Sequence, residues 1–542
     1  MIYDYHSTMT KDVKKSSQEA SVSIPIEEFI KTLQSQLAPK EEKPEFDQEI
    51  EAEETGESMA RFYEKVRNLI EYKDDHLIKR NAIERIFKRN LIIEFRQHDF
   101  TDQFLDELVM TGYIERREIE VKLEKKIKTV ITKYQKAIRI IGGYELKRWL
   151  VTIASCEIEE IIFPNRIRYA LVQAMYKTVC ERIVIQDGNL KGSEKDVQIF
   201  LSVLKSLTKP DNAWLNYSLM KIYLSDWFAE NISDEDIGKM TREMPRLMNS
   251  LKRRLANPIS GKIGVALRKY AVYFNIFYDV ALANISKIEK ILQNQESFKF
   301  AVQMKVDDVY TQEMKKFRKR VKRSLIFLVI TKIFLAVVVE YPFDLYYMGE
   351  VHMFPIYINL LFPPLYLLFL SATVHRPSEY NSTLIARGAV EIVYESKEEP
   401  IAIVKLNDIE TFSDKALYMF FVLTYGISFG VAVWILGLFH FNWLGILIFL
   451  FLFSVVSFFN ALVRNPIREL LVAREREGML GMIIDTFSMP FVRMGKWMSI
   501  NFSRVNVFIF LFDVIIEAPF KVMVRFIRLW SGFIRRKKEE MI

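Results

Sequence analysis

Apolar positions recur at helical spacing through the first three fifths of this chain, and then the polar positions between them disappear. Met59, Phe62, Tyr63, Val66, Leu69 and Ile70 return at intervals of three and four, which is one face of a helix. Leu123, Ile127, Val130, Ile131, Tyr134, Ala137, Ile138 and Ile141 repeat the signal, and glycines at 142 and 143 end it. The same spacing predicts helices over 167–185, 196–207, 213–228, 233–254 and 262–290. From 416 to 463, by contrast, 48 consecutive residues include no Asp, Glu, Lys or Arg. One bilayer crossing takes about 20 residues, so this run holds two crossings joined by a tight turn. A soluble helix would need a polar face toward water.

Further apolar runs give spans at about 324–345 and 351–374, followed by 416–438 and 443–463. Pro355, Pro363 and Pro364 predict that the second is kinked or broken. Charge sets the orientation. Immediately before the first span stands KKFRKRVKR (Lys315, Lys316, Arg318, Lys319, Arg320, Lys322, Arg323), seven basic residues in nine, and such clusters stay cytoplasmic. The loop 340–350 has three acids and no base, as an outside loop should. Arg464, Arg468, Arg474 and Arg476 follow the fourth span and fall on the same side as the first cluster. Loop 375–415, with five basic and eight acidic residues, carries little charge signal. It is assigned to the cytoplasm by the count of spans. Alternation at 389–395 and 401–406 predicts a small β-hairpin there.

The ends of the chain differ in character. Residues 1–57 read as a disordered acidic arm, since 41–57 carries nine acids against one lysine. Within it 24–37 (IPIEEFIKTLQSQL) has the pattern of a short amphipathic helix, read first as a transient helix in a tail, with a docking segment as the alternative. The first residues lack an apolar core of signal-peptide type, so the first span is expected to direct insertion. At the other end, Asn506, Asp513, Glu517, Lys521, Arg525, Arg528 and Arg535 share an arc of roughly 120° at about 100° per residue. Residues 464–542 are therefore expected to be amphipathic helices on the cytoplasmic membrane face, ending in a basic tail of Arg535, Arg536, Lys537 and Lys538; the alternative is a fifth span over the apolar run 505–520, which would carry that tail outside against the charge rule.

Composition narrows the chemistry. A net charge of +8 at 542 residues lies largely beside apolar segments, where it fits topology and anionic headgroups better than nucleic acid. The basic helix over 121–141 is diluted by Glu115, Glu118, Glu120 and Glu124 and lacks interleaved aromatics. Cys156 and Cys180 make no disulfide framework and read as reduced thiols. The six histidines form no metal-ligand spacing, and DGNLKGSE at 187–194 has Lys191 and Gln198 where a calcium loop needs ligands. Neither a phosphate-binding loop nor a nucleophile elbow occurs, so no catalytic residue, cofactor or metal is assigned.

Ionisable residues inside spans are the remaining candidates, because an unpaired lysine at mid-bilayer costs about 2.5–3.5 kcal/mol. Lys332 sits eight residues into the first span, with Glu340 and Asp344 following at intervals of eight and four on nearly the same face. These three, with Asp513 and Glu517 as counter-charges, form a candidate polar path; the bland alternative is structural pairing. Gly426 and Gly430 have the spacing for close helix packing, within the chain or between copies. The expectation is an all-α, polytopic α-helical membrane protein with a cytoplasmic helical domain (58–323). Its four spans lie over 324–463, in an inner (plasma) membrane, with both termini cytoplasmic. A scaffold for cytosolic protein partners of 58–323 is the favoured role, and a solute or ion transporter the alternative.

Overall fold

The computed structural model describes residues 21–37, 75–94, 98–116, 119–186, 192–349, 351, 353–394, 400–405, 412–473 and 479–504. The helix expected over 59–70, the acidic run 41–57, the 187–191 part of the loop tested for calcium and the whole of 505–542 lie outside the described residues. Helices α1 (Ile24–Leu37), α2 (Asp75–Lys88), α3 (Thr101–Met110), α4 (Val121–Ile140), α5 (Tyr144–Ile162) and α6 (Arg166–Val179) precede strand β1 (Ile183–Gln186). There follow α7 (Ser193–Thr208), α8 (Asn212–Tyr223), α9 (Asp234–Leu255), α10 (Ile259–Ala283) and α11 (Ile288–Leu292). The remaining elements are α12 (Gln295–Leu335), α13 (Met353–Ala372), α14 (Glu379–Tyr394), β2 (Ala402–Lys405), α15 (Phe412–Leu438), α16 (Trp443–Glu469) and α17 (Met479–Arg504). The chain is overwhelmingly helical, as its periodicity predicts.

The chain divides into two compact units, each made of more than one stretch of sequence. One contains, among the described residues, 34–37, 75–173 and 192–265. Its centre is α5, which packs on α2, α4 and α8. Leu150, Ile153, Ala154, Cys156 and Ile158 of α5 are buried, and so is the charged Glu157. Lys133 on α4 donates to Glu157 at 2.7 Å and to the Trp227 carbonyl at 2.9 Å, while the Tyr134 hydroxyl donates to Glu157 at 2.8 Å. A buried ion pair survives here because hydrogen bonds satisfy both partners. Cys156 is buried and Cys180 half-buried, both free thiols.

The other unit contains 21–33, 174–186 and 266–504 among the described residues. Here α1 is docked: Ile26, Phe29, Ile30 and Leu33 are buried, and the Phe29 ring lies 5.6 Å from Phe277 of α10. The aromatic chain continues through Phe298 of α12 to Tyr394 of α14 at 6.2 and 5.8 Å. Gly388 of α14 faces Tyr273 so closely that a Cβ would stand 2.1 Å from the ring. The hairpin expected in 375–415 is not formed. Residues 389–394 belong to α14, whose Ile385, Ala386, Ala389, Ile392 and Val393 are buried at helical spacing. Burial on two sides of that helix mimicked strand alternation over a short window. Only the second half is a strand, and β2 pairs in parallel with the distant β1, Ile183 opposite Ala402.

Among the described residues four helices are long and apolar enough to cross a membrane: Gln295–Tyr347, Met353–Ala372, Met419–Leu438 and Trp443–Glu469. The first is 53 residues long and includes the whole basic band. Phe317 and Val321 in that band pack against Val463 and Ile467 of α16, so 315–323 and Arg464/Arg468 share one end of the bundle. At the opposite end Leu436, Phe441 and Phe449 cluster, and Phe343 meets Trp443 at 5.5 Å. The second span is not broken: α13 is continuous, with Pro363 and Pro364 buried inside it. Gly426 and Gly430 have no neighbour where a Cβ would stand. The close approach is instead at Gly495 of α17, where a Cβ would lie 2.1 Å from the Ser454 carbonyl of α16.

That contact changes the placement expected after residue 464. Helix α17 packs along α16 rather than lying across the ends of the spans, and its Phe491 sits 4.5 Å from Phe453 and 4.6 Å from Phe429. The connector 470–478 reaches at most roughly 36 Å, short of the roughly 40 Å length of α16. Helix α17 therefore doubles back antiparallel from the basic end.

Asn381 fastens the basic end together. Its amide donates to the Tyr310 hydroxyl (2.6 Å) and the Leu470 carbonyl (2.8 Å), and its oxygen accepts from the Val472 and Ala473 backbone N–H groups. Glu159 in the other unit has the opposite character. One carboxylate oxygen is buried without a hydrogen-bond partner, and burial outweighs Arg80 to push its pKa up to about 7. A carboxyl raised above its unfolded value binds protons preferentially in the folded state, so stability falls as pH rises from about 4.5 through about 7. Glu159→Gln is expected to raise stability at pH 8 by about 1–2 kcal/mol, with little change at pH 5. Thermal unfolding in detergent at the two pH values checks this.

Candidate functional site

The first span carries its charges on a helix that is not regular. One wide π turn occupies Ala336–Glu340 and a second Asp344–Met348. In an unbroken α-helix, eight residues turn about 800° and would leave Glu340 some 80° away from Lys332. The residue inserted by a π turn makes this equivalent to about seven steps, or 700°, which brings the two onto one face. The Lys332 ammonium accordingly donates to Glu340, with side chains 0% and 5% exposed. Each charge alone would be stranded in hydrocarbon; together they need no third partner.

Asp344 is buried one turn further on and accepts a hydrogen bond from the Asn442 amide. Asn442 also caps α16, its oxygen accepting from the Gly445 backbone N–H at 2.5 Å. The asparagine in FHFNW thus ties the end of the first span to the start of the fourth. Glu340, Asp344, Asn442 and Asn359 line a narrow recess, with Pro355, Ile356, Phe441 and Gly445 as its apolar walls. Asn359 is 1% exposed, and neither its amide nitrogen nor its oxygen has a hydrogen-bond partner. Its own backbone carbonyl is deprived as well, since Pro363 four residues on lacks the N–H that would bond it.

Of the five residues read as a polar path, the structure brings Lys332 and Glu340 together and ties Asp344 to another span. Asp513 and Glu517 lie outside the described residues, as do Arg535, Arg536, Lys537 and Lys538. Lys315, Lys316, Arg318, Lys319, Arg320, Lys322 and Arg323 are all exposed around α12, as a headgroup-facing band requires. Asn359 and Asn442 were passed over in the sequence reading. Each stands in an apolar run, where an uncharged amide is as much an outlier as a charge. Among the described residues no group of three or more His, Cys, Asp or Glu side chains could hold a metal. No family model, curated protein or solved structure matches the chain.

Removing one member of the buried pair should cost more than removing both. Lys332→Met is expected to destabilise the protein by about 3–5 kcal/mol, and the double variant Lys332→Met/Glu340→Gln to recover most of the loss. Asn359→Leu, which removes two unsatisfied polar atoms, should raise stability by about 1 kcal/mol. Unfolding midpoints in one detergent measure all three.

Proposed function

We propose that the protein is an integral membrane scaffold that presents a cytoplasmic helical body to protein partners at an inner (plasma) membrane. The observation that carries this reading is the single helix Gln295–Tyr347. At 1.5 Å per residue its 53 residues extend roughly 80 Å, well beyond a 30 Å hydrocarbon core. Helices α10 and α14 and the docked α1 pack on or beside its polar half. The basic band takes the cytoplasmic headgroup level and binds anionic lipid. Residues 58–323 supply the surface for cytosolic protein partners, and nucleic acid has no part in the assignment. Self-association through the open Gly426/Gly430 face of α15 is compatible with this role.

The rival reading, a transporter or channel with a path through Lys332, draws on the same recess. It is less well supported because the Lys332 ammonium is spent on Glu340 and the Asp344 carboxylate is engaged by Asn442. A conducting path needs ligands that exchange. An enzyme reading has no constellation of groups to rest on.

Two measurements test these statements. In a Cys156→Ser/Cys180→Ser background, Tyr346→Cys should react with a membrane-impermeant maleimide from outside intact cells, and Lys319→Cys only after lysis. The reverse pattern would reject the orientation. In liposomes the wild type should pass ions and small solutes no faster than protein-free vesicles; a flux abolished by Lys332→Leu would replace the scaffold reading by the transporter one.

A further inference from the structure

The recess between the first, second and fourth spans contains an amide that no side chain or backbone group meets. Asn359 is 1% exposed, and among the described residues both its Oδ1 and its Nδ2 lack a hydrogen-bond partner. Native proteins rarely leave a buried polar group in that condition unless an ion, a ligand or a water answers it. The backbone of α13 is short of donors as well. Pro363 and Pro364 offer no N–H to the carbonyls of Asn359 and Leu360, yet the helix runs through them unbroken. Beside the amide stand two buried carboxylates, Glu340, which accepts from the Lys332 ammonium, and Asp344, which accepts from the Asn442 amide.

Glu340, Asp344 and Asn359 line one narrow space, with room for roughly one water-sized particle. Its wall includes Phe441, which also belongs to the apolar cluster at the end of the bundle opposite the basic band. Asn359 lies six residues into α13, roughly 9 Å below the helix start. Tyr346, Tyr347 and Trp443 are exposed around that end, where an interfacial aromatic belt stands. The recess thus sits just beneath the headgroup level, close to the water on that side and to the ions dissolved in it.

The lining selects the ligand. Carboxylates, an amide oxygen and a carbonyl without its helical donor are the donor set of a hard cation, whereas an anion would face both acids. Calcium takes about six to eight oxygens and magnesium keeps several waters, more than this space holds. The Lys332 ammonium also offsets one of the two carboxylates. Freed main-chain carbonyls within a span suit a dehydrated monovalent ion. We propose that the recess is a binding site for one small monovalent cation of sodium's size, held by Glu340, Asp344 and Asn359 and entering from the end opposite the basic band. The ion locks that end of the bundle: two of its ligands belong to the first span, one to the second, and Asn442, bonded to Asp344, opens the fourth. Binding requires no passage through the protein, so the inference stands apart from the scaffold reading.

Thermal unfolding of the full-length protein in detergent tests this, in sodium chloride against choline chloride at equal ionic strength. Sodium should raise the midpoint saturably by about 3–5 °C, as a ligand of the folded state does at roughly 100 times its Kd. Immobilised protein should also bind radioactive sodium ion saturably, at about one per chain. Asp344→Asn and Asn359→Leu should each abolish both responses, whereas Lys319→Gln in the basic band should keep both. The stability gained by Asn359→Leu belongs to the cation-free protein, so this variant should outlast the wild type in choline chloride and lose that lead in sodium chloride. Equal wild-type midpoints in the two salts, the result expected if the recess holds only water, would overturn the proposal. So would a sodium response that survives in Asn359→Leu, or a shift produced by calcium chloride and not by sodium chloride.

Discussion

Hydrocarbon cannot hydrogen-bond, and most of what is unusual in this fold follows from that. In water the Lys332–Glu340 pair would add little, since exposed ion pairs contribute about 0–1 kcal/mol. Inside a span the same two side chains are obligatory partners, because either one alone would be an uncompensated charge. The helix accommodates this need in its backbone, by a wide turn at Ala336–Glu340 that rotates one charge onto the other. The Asp344–Asn442 bond does comparable work between spans, and it also fixes where α16 begins.

The basic end is organised by a different device. Asn381 uses both ends of its amide to hold α12 and the chain emerging from α16, while Arg376 reaches Asp307 at 2.9 Å and the Tyr394 hydroxyl bonds the Leu292 carbonyl at 2.9 Å. These bonds attach α14 along the polar half of the long first helix. The membrane-crossing part and the part outside it are thus one continuous body within this unit. The proposed scaffold role rests on this continuity.

How much of this was legible beforehand depends on the range of the interaction. Spans came from runs of apolar residues, a local property; the second and third helices match the expected bounds closely, whereas the first begins 29 residues before the expected span, at Gln295, because its polar half continues the same helix. The docked helix Ile24–Leu37 was visible as a pattern, but not its site, because only packing on Phe277 and the backbone of α14 defines it. The hairpin in 375–415 was misread: a helix buried on two sides and a true strand both look alternating over six residues. The second span was expected to be kinked or broken at its prolines; it is not broken, since Met353–Ala372 is one helix with Pro363 and Pro364 buried inside it. In the candidate site the charged residues were found because charge is conspicuous in an apolar run; Asn359 and Asn442 were missed because amides are not.

The sequence by itself determined which runs are long and apolar enough to cross a membrane, which end of them carries the positive charge, and which few ionisable residues within them must find partners. Those are consequences of solvent preference, which each residue carries wherever it stands. Tertiary structure alone decided who the partners are. A π turn set the Lys332–Glu340 register, a distant cap captured Asp344, strand β2 paired with β1 more than two hundred residues earlier, and a glycine contact sent α17 back along α16. Such choices depend on distances between elements, and no window along the chain contains them.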